Sequence, residues 1–317
     1  MIDSYGDVTA EYMALRDESG LVTGSHEIVW VRGPDAVPFL DDLLTQELGN
    51  ADVGAVLRSL LLSPQGKLRA PLWVLRDKSA CGLVSDVGVG ATVIADLSRF
   101  RIRVDVEIDS EPTPMLTLWG RGAPAVMETV LGMAPDGWVE SDQALAARAD
   151  IAGRPRFFLS GVPATALEAA GARLAGSIAA TTVRIESGEP AMGIDIDERT
   201  IPQESGLVEI AVSFTKGCYL GQELVARIDS RGHVNRLLRG ITVASNVLPP
   251  PGSEVVVGDK AVGTLTSVGE SLSLRAPVGM ALVRREVESG DEVEIRWDGG
   301  STPAAVRALP MEVFAGA

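Results

Sequence analysis

The sequence predicts an α+β fold followed by a small β-barrel. Between residues 27 and 108 several segments read as strands, and apolar and charged residues alternate strictly in one of them, at 101–108. Strand, helix and strand then follow one another in each half of the first 190 residues. After Arg239, a proline-rich break at 248–252 precedes short strands separated by glycine turns, a pattern typical of a small barrel. We therefore expect residues 1–238 to form two related α+β units, split near residue 112, and residues 239–317 to form the barrel.

The first unit begins with a helix at 9–15, for which Thr9 can serve as the cap. A strand at 27–31 leads into the Gly33-Pro34 turn, and Asp35 starts an amphipathic helix. Two apolar strands, 57–62 and 68–75, are joined by a short loop and predict a hairpin. Residues 101–108 alternate strictly between apolar and charged side chains, which predicts an antiparallel strand with one solvated face.

The second unit repeats this order without visible sequence repetition. The prolines at 112 and 114 precede a strand at 115–119, a helix beginning near Ala125, a strand at 156–159 and a helix at 164–172. The predicted barrel strands are 254–257, 261–266, 278–283, 292–297 and 304–308.

Composition limits the possible functions. The 317 residues are 46% hydrophobic and 22% charged, as expected of a folded globular chain. No uncharged apolar run is long enough to span a bilayer, and the acidic N-terminus lacks the basic and apolar regions of a signal peptide, so we expect a cytoplasmic protein without a membrane partner. Cys81 and Cys218 are too few for a disulfide framework, and without nearby cysteine or histidine at ligand spacing no metal site is predicted.

The net charge of −15 opposes direct binding to nucleic acid. The segment from residue 216 to residue 239, however, contains five basic residues and only two acidic ones. This basic cluster predicts a site for a small anion next to the cysteine at 218; the alternative is a solvated cationic end of a helix. Its basic members are Lys216, Arg227, Arg231, Arg236 and Arg239.

The chain is organised around the segment 216–223, which reads K-G-C-Y-L-G-Q-E. Alternation at 212–215 predicts a strand before it, and helical spacing predicts a helix from Leu220 onward. Cys218 is therefore expected where a strand turns into a helix, beside the charge of Lys216, a position that favours the thiolate. The alternative is a small buried cysteine that only packs.

This segment resembles the K-G-C-[FY]-[LI]-G-Q-E motif of the YgfZ family of folate-binding proteins, which are relatives of the glycine-cleavage T-protein, an aminomethyltransferase. All eight positions match, and Arg227 falls where that family has an arginine. Residues 184–195 resemble a second motif of these relatives, R-[IL]-E-x-G-x-P-x-x-G-x-[DE]. The resemblance covers essentially the whole chain and implies a T-protein-like folate-binding fold with a C-terminal barrel.

The resemblance also implies the site and its cofactor. Tetrahydrofolate, or a derivative of it, is the expected cofactor, with Glu186 accepting two hydrogen bonds from the pterin ring. Without the motif, Glu186 would be taken for a solvent-facing strand residue. Cys218 is expected to be the functional thiol of the same cavity. The other expected folate-binding residues are Arg184, Lys216, Tyr219 and Arg227, the basic cluster meeting the glutamate tail.

The implied function is that of an accessory protein for the assembly or repair of iron–sulfur clusters, with folate and the client or assembly proteins as partners and tRNA modification as an indirect effect. The chain departs from the T-protein at the hairpin, where the aligned acidic pair of N-x-x-G-G-x-x-D-D is replaced by Ala70 and Pro71. Neither side chain can take up a proton or stabilise an iminium cation, which argues against aminomethyl transfer. Whether the chain is an enzyme stays open.

The alternative is a folate-dependent aminomethyltransferase, or another one-carbon transferase or demethylase. It would need a different acid or base, for which Asp195 and His233 are the candidates. Direct tRNA binding by the arginines is a third possibility, which the net charge disfavours.

Overall fold

The structure, a computed structural model, describes residues 1–141 and 144–311, and the side chain of Arg231 lies outside the described part. The helices are α1 (Val8–Asp17), α2 (Ala36–Leu43), α3 (Gly90–Phe100), α4 (Ala123–Leu131), α5 (Ala164–Ala169), α6 (Ser177–Glu186), α7 (Val208–Ala211) and α8 (Gln222–Arg231). The strands of the first part are β1 (Gly20–Arg32), β2 (Val56–Leu62), β3 (Leu68–Arg76), β4 (Ala80–Asp86), β5 (Glu107–Ile108), β6 (Thr113–Trp119), β7 (Trp138–Glu140), β8 (Leu145–Arg148), β9 (Arg156–Ser160) and β10 (Arg173–Leu174). The remaining strands are β11 (Arg236–Val243), β12 (Glu254–Val257), β13 (Lys260–Ser271), β14 (Ala276–Arg284), β15 (Glu292–Trp297) and β16 (Gly300–Arg307).

The two α+β units share one sheet. Its strands run in the order β2-β3-β4-β1-β6-β9-β8-β7, and the short strands β5 and β10 pair with β1. The long strand β1 pairs antiparallel with β4 on one side and with β6 on the other, so it joins the two units. The predicted split near residue 112 falls directly before β6, which opens the second half of the sheet.

The C-terminal part is a closed barrel with the order β11-β14-β13-β12-β15-β16. The predicted fold class, an α+β region with a C-terminal barrel, is confirmed. The first barrel strand, β11, begins at Arg236 and runs across the predicted boundary at 238/239. The interior of the barrel is apolar, with Ile241, Val255 and Ile295 fully buried.

Helix α6 connects the two parts. It packs on α1 and on the barrel strand β13. The contact with β13 is close because Gly269 has no side chain: a Cβ there would lie 2.4 Å from Oγ1 of Thr182. No helix in the described ranges has the length and apolarity that crossing a membrane requires.

Two predicted strands are wrong. Of the segment 101–108 only Glu107–Ile108 is a strand; Ile102 is 72% exposed and Arg103 has a φ of 58°, which breaks an extended chain. The segment instead binds the start of α2, where the Asp105 amide donates to Asp35 Oδ2 at 2.7 Å. The alternation at 212–215 is also not a strand, because α7 ends at Ala211 and an irregular loop follows.

Two helix details differ as well. The cap of α1 is Asp7, whose Oδ1 accepts from the Ala10 amide at 3.0 Å, and Thr9 lies inside the helix. The segment that holds Glu186 is the end of a helix, so the alternative of a solvent-facing strand residue is wrong.

Candidate functional site

A cavity of about 330 Å³ lies between the middle of the sheet, α6 and the barrel strand β13. Helix α6 presents one face to the cavity. The residues on that face are spaced i, i+3, i+4 and i+7 and are Ser177, Ala180, Thr181 and Arg184. The apolar lining includes Val22, Trp119, Ala180, Met192, Ile194 and Val268, and the polar lining includes Ser25, His26, Asp86, Thr117, Thr181, Arg184, Glu189, Thr266 and Ser267.

A buried ion cluster underlies the cavity. Arg156 donates to both carboxylate oxygens of Glu189, at 2.5 and 3.2 Å, and Arg58 lies 3.3 Å from the same carboxylate. Burial alone would raise the pKa of Glu189, but the two arginines beside it lower that pKa to about 2. The Arg156 guanidinium also lies 5.2 Å from the Trp73 ring and 4.8 Å from the Phe158 ring. Glu189 is therefore a structural anion whose oxygens are already occupied.

His26 is held neutral at the cavity wall. Its Nδ1 lies 2.9 Å from Oγ of Ser25 and 3.0 Å from Oγ1 of Thr117. Burial, and then the charge of Arg156, lower its pKa to about 3. Its other nitrogen, Nε2, lies 3.8 Å from Oδ1 of Asp86. Since the ring is neutral, this contact is not an ion pair at neutral pH.

Asp86 is the last residue of β4 and opens on the cavity, with a side chain that is 32% exposed. Its Oδ2 accepts a hydrogen bond from the Met192 amide at 3.0 Å. Deep placement in the protein raises the pKa of Asp86, because burial penalises the carboxylate. Sequence reasoning missed this residue, although a polar residue directly after the apolar run of β4 and before Gly88 was an available signal.

Arg184 is brought to the cavity as predicted, but its guanidinium faces the barrel junction. It donates to Asp195 Oδ2 at 2.5 Å and to Ser267 Oγ at 2.7 Å. Asp195 is fully buried and also accepts from the Thr266 hydroxyl at 2.6 Å. Asp195 does not line the cavity and all its contacts are structural, so it is a poor candidate for the acid or base of a transferase.

Glu186 does not line the cavity. It follows Arg184 by two residues and so points roughly 200° away around the helix. Its side chain is fully buried against α1, where the Tyr12 hydroxyl donates to Oε1 at 2.6 Å, and Arg154 Nη2 lies 3.9 Å from Oε2. The expected pterin carboxylate is thus placed in a separate buried cluster.

Cys218 also lies away from the cavity. It is exposed in the loop before α8, which begins only at Gln222, four positions later. Lys216 is buried in the same loop, where its ammonium binds the carbonyls of Leu44 and Gln46, both at 3.0 Å, and lies 3.3 Å from Asp41 Oδ1. The lysine charge therefore stabilises the loop that holds the cysteine. The expectation that Glu186 and Cys218 share one cavity is not met, because neither lines the cavity: Glu186 is buried against α1 and Cys218 is exposed in the loop before α8.

The other residues expected around Cys218 are spread out. Tyr219 is buried, and burial raises its pKa to about 12. Arg227 and His233 are exposed on and after α8, and Arg236 pairs with Glu204 at 3.2 Å. Arg231 falls outside the described side chains. No single anion site beside the cysteine follows from these placements.

The hairpin of β2 and β3 lies against the cysteine loop. A Cβ at Gly221 would lie 2.6 Å from the Ser63 carbonyl oxygen and 3.0 Å from the Gly66 Cα. Ala70 is fully buried in the core, and Pro71 pairs with Leu60 within the hairpin. The two positions that carry acids in the aligned motif are thus part of a packed strand. In the described ranges, no group of three or more histidine, cysteine or acidic side chains is placed to hold a metal ion.

Comparison with known proteins covers both parts of the chain. Residues 3–143 match the GCVT N-terminal domain, and residues 236–311 match the glycine cleavage T-protein C-terminal barrel domain. Aminomethyltransferase of Moorella thermoacetica is 30% identical over 97% of this chain and 90% of its own length. That of Rubrobacter xylanophilus is 29% identical over 98% of this chain and 87% of its own length.

A solved structure of a relative has the same fold. The crystal structure of glycine cleavage system aminomethyltransferase T from Bartonella henselae superposes with a TM-score of 0.88, at 22% identity, over 99% of this chain and 92% of that one. The closed barrel, the shared sheet and the full-length similarity together show that this chain belongs to the aminomethyltransferase family, the T-proteins of glycine cleavage.

Proposed function

We propose that this chain binds tetrahydrofolate, or a derivative of it, in the cavity between the sheet, α6 and the barrel. The volume of about 330 Å³ lies within the range of small-molecule sites. Apolar walls from Trp119 and Met192, with a few fixed polar groups such as Asp86 and His26, suit a flat heterocycle with a polar edge. Family membership supports the same cofactor.

Of the folate-binding residues that the sequence motifs imply, Arg184 lines this cavity. We propose that its stem packs on the ligand, since its guanidinium is held by Asp195 and Ser267. Glu186 could contact the ligand only if its hydrogen bond with the Tyr12 hydroxyl were broken. Titration of Glu186→Gln decides this point: an unchanged affinity would remove Glu186 from the folate site.

The role that we favour for the bound folate is an accessory one, in iron–sulfur cluster assembly or repair, as the K-G-C-Y-L-G-Q-E motif suggests. The observation that carries it is the loss of both acids from the hairpin, where Ala70 and Pro71 pack in place of groups that could exchange a proton. Cys218 is exposed and so accessible to a partner. One cysteine cannot hold a four-thiolate cluster, so a client protein or glutathione would have to supply the other ligands.

The second candidate is aminomethyl or other one-carbon transfer. The names of the relatives favour it, since aminomethyltransferases match 97–98% of this chain. Such a reaction would need an acid other than the hairpin pair, and within the cavity Asp86 is a carboxyl that faces the space a substrate would occupy.

Calorimetric titration of the purified chain with tetrahydrofolate tests the shared part of the proposal. Saturable binding with one site per chain is expected. The proposal would be refuted if no heat of binding appeared at ligand concentrations well above the dissociation constants of folate-binding relatives. The Asp136→Asn variant is a suitable control, since that carboxylate is 97% exposed.

Two further assays separate the candidates. Supplying an aminomethylated lipoyl carrier together with tetrahydrofolate should give no methylenetetrahydrofolate if the accessory role is correct. In a strain that lacks the natural protein, Cys218→Ala should fail to restore iron–sulfur enzyme activity, whereas Cys81→Ala should restore it. Product formation in the first assay would favour the transferase. Full restoration by Cys218→Ala would show that the cysteine-centred mechanism is wrong.

A further inference from the structure

A second cleft lies at the end of the barrel where β11 begins. Its volume is about 640 Å³, within the range of small-molecule sites. Its walls come from β11, the loop after β14, the end of α8 and the short 3₁₀ turn Pro202–Glu204. None of the described residues lines both this cleft and the cavity proposed for folate. The barrel-end cleft is therefore a separate place in the molecule.

Arg239, which lines the barrel-end cleft, occupies an inward-facing position of the barrel. Side chains alternate between the interior and the exterior along a barrel strand, and Ile241 and Val243, two and four positions later, are buried in the interior. In the sheet register Arg239 pairs with Ala281 of β14, which also belongs to the apolar interior. A guanidinium thus follows directly on the apolar core at the mouth of the barrel.

Two buried polar atoms of the barrel-end cleft are left without a partner in the described ranges, 1–141 and 144–311. One is a donor, Nε of Arg239, and the other is an acceptor, Oε1 of Gln203. The other amide atom of Gln203, Nε2, donates to the Val225 carbonyl of α8 at 3.0 Å, which fixes the orientation of the amide. Buried donors and acceptors without partners are costly, and an occupant that bonded to both atoms would remove that cost.

Arg285 brings a second positive charge to the barrel-end cleft. It comes directly after β14, two positions beyond the inward-facing Val283, and its backbone amide donates to the Asn235 carbonyl at 3.0 Å. Among the described lining residues the acid is Glu288, which is exposed. The cleft therefore carries an excess of positive charge in a chain whose net charge is −15.

The charge and the walls together define the kind of ligand. Guanidinium groups match the planar or tetrahedral oxygens of carboxylates and phosphates. Ile228, Val234 and Leu237 add apolar wall, and the volume is larger than a lone anion needs, so an organic body fits beside the charged group. The net charge of −15 opposes the phosphate backbone of a nucleic acid. A small molecule is the occupant that these features favour.

We propose that the barrel-end cleft binds a small organic oxyanion: a carboxylate or phosphate group on an apolar body that also carries an N–H or O–H donor. The oxyanion meets Arg239 and Arg285, the donor meets Oε1 of Gln203, and the apolar body packs on Ile228 and Leu237. The proposal does not depend on folate binding, because the cleft and the cavity are lined by different residues.

The test is calorimetric titration of the full chain at low ionic strength with two anions, adenosine monophosphate and N-acetylphenylalanine. Their neutral analogues, adenosine and N-acetylphenylalanine amide, are the matched ligands without the charge. Wild type should bind at least one of the anions more tightly than its analogue. Arg239→Gln and Arg285→Gln should each weaken that binding roughly 10- to 100-fold. Arg101→Gln removes the same charge at an exposed position after α3 and should bind as wild type.

The outcomes decide the proposal without reference to the folate result. Binding of one anion alone supports it and identifies the charged group as phosphate or carboxylate. The proposal is overturned if wild type binds neither anion at millimolar concentration, if anion and analogue bind equally, or if both arginine variants keep the wild-type affinity. Because Arg285 is exposed, its variant tests the site even if Arg239→Gln fails to fold. Loss of anion binding on saturation with tetrahydrofolate would place the anion in the folate cavity and would also overturn the proposal.

Discussion

The two cysteines lie in opposite surroundings. Cys81 is fully buried in β4, where burial raises its pKa to about 11, and Cys218 is exposed in the loop before α8. Thiol reagents react with the thiolate and need access to it. Any redox or ligand chemistry of the folded chain therefore belongs to Cys218.

We expect one thiol per folded chain to react with a chromogenic disulfide reagent, and two after denaturation. The Cys218→Ser variant should show no rapid reaction when folded, and Cys81→Ser should react like wild type. Rapid modification of both thiols in the native protein would contradict the burial of Cys81.

The neutral His26 makes stability depend on pH. Its folded pKa of about 3 lies below the ordinary 6.5, so the unfolded chain takes up a proton that the folded chain does not. The free energy of unfolding should therefore fall as the pH decreases from about 6.5 towards 3, by up to about 1.4 kcal/mol per pH unit from this group. Glu189 adds to the loss below its ordinary value of 4.5, as the pH falls towards its folded pKa of about 2.

Urea unfolding between about pH 7 and pH 4 measures this slope. His26→Gln should flatten it, whereas His233→Gln should leave it as in wild type, because His233 is exposed. An identical slope in wild type and His26→Gln would show that His26 is not the group responsible.

At the scale of elements, the β2–β3 hairpin and the cysteine loop meet at two glycines. Gly221 precedes α8 with a φ of 79°, and the close approach to Ser63 and Gly66 leaves no room for a side chain. The two sequence motifs that seemed separate, the hairpin and the K-G-C segment, thus form one contact surface. The glycine of the motif is required by its backbone conformation and its neighbours.

Gly221→Ala should destabilise the protein by about 1–3 kcal/mol through backbone strain alone, with a further cost from the clash with Ser63. Gly217→Ala, in the same loop, meets nothing within 4 Å and should change stability by less than about 0.5 kcal/mol. Chemical denaturation of both variants provides the measurement. Equal stability of the two would show that the hairpin contact is absent in solution.

At the scale of the molecule, a buried hydrogen-bond cluster around Asp195 helps to join the α+β region to the barrel. Asp195 follows α6 and accepts from Arg184 and from the hydroxyls of Thr266 and Ser267 on β13. Because these groups are buried together, loss of the carboxylate would leave the Arg184 cation without its counterion and the Ser267 hydroxyl without its acceptor. The contact between α6 and β13, which also forms one wall of the cavity, therefore depends on the Asp195 carboxylate.

Asp195→Ala should therefore cost about 3–5 kcal/mol and make thermal unfolding less cooperative, with the barrel and the α+β region melting at different temperatures. Glu294→Gln removes an exposed ion pair with Arg296 and should have little effect. Calorimetry distinguishes one transition from two. A single unchanged transition in Asp195→Ala would show that the junction is held by packing alone.

The predictions that rested on periodicity and turns were confirmed where tertiary contacts agree with local preference. The hairpin at 57–75 and the barrel strands are examples, since strict patterns there are bounded by clear turns. The alternation at 101–108 failed because Arg103 adopts a left-handed conformation and the segment binds α2, which a pattern of side chains does not report. The cap of α1 is Asp7 and not Thr9, because the Asp7 side chain accepts a hydrogen bond from the Ala10 amide.

By itself the sequence determined the fold class, the family-like motifs, the loss of the hairpin acids and the presence of a distinctive cysteine, because each depends on residue identity or on spacing along the chain. The tertiary structure decided which side chains meet. In the folded chain Glu186 accepts a hydrogen bond from Tyr12, and the Lys216 ammonium binds backbone carbonyls. Asp86 lines the cavity. Two residues on one helix can point in opposite directions, and residues a hundred positions apart can share a wall, so the direction of a side chain is a property of the packed molecule.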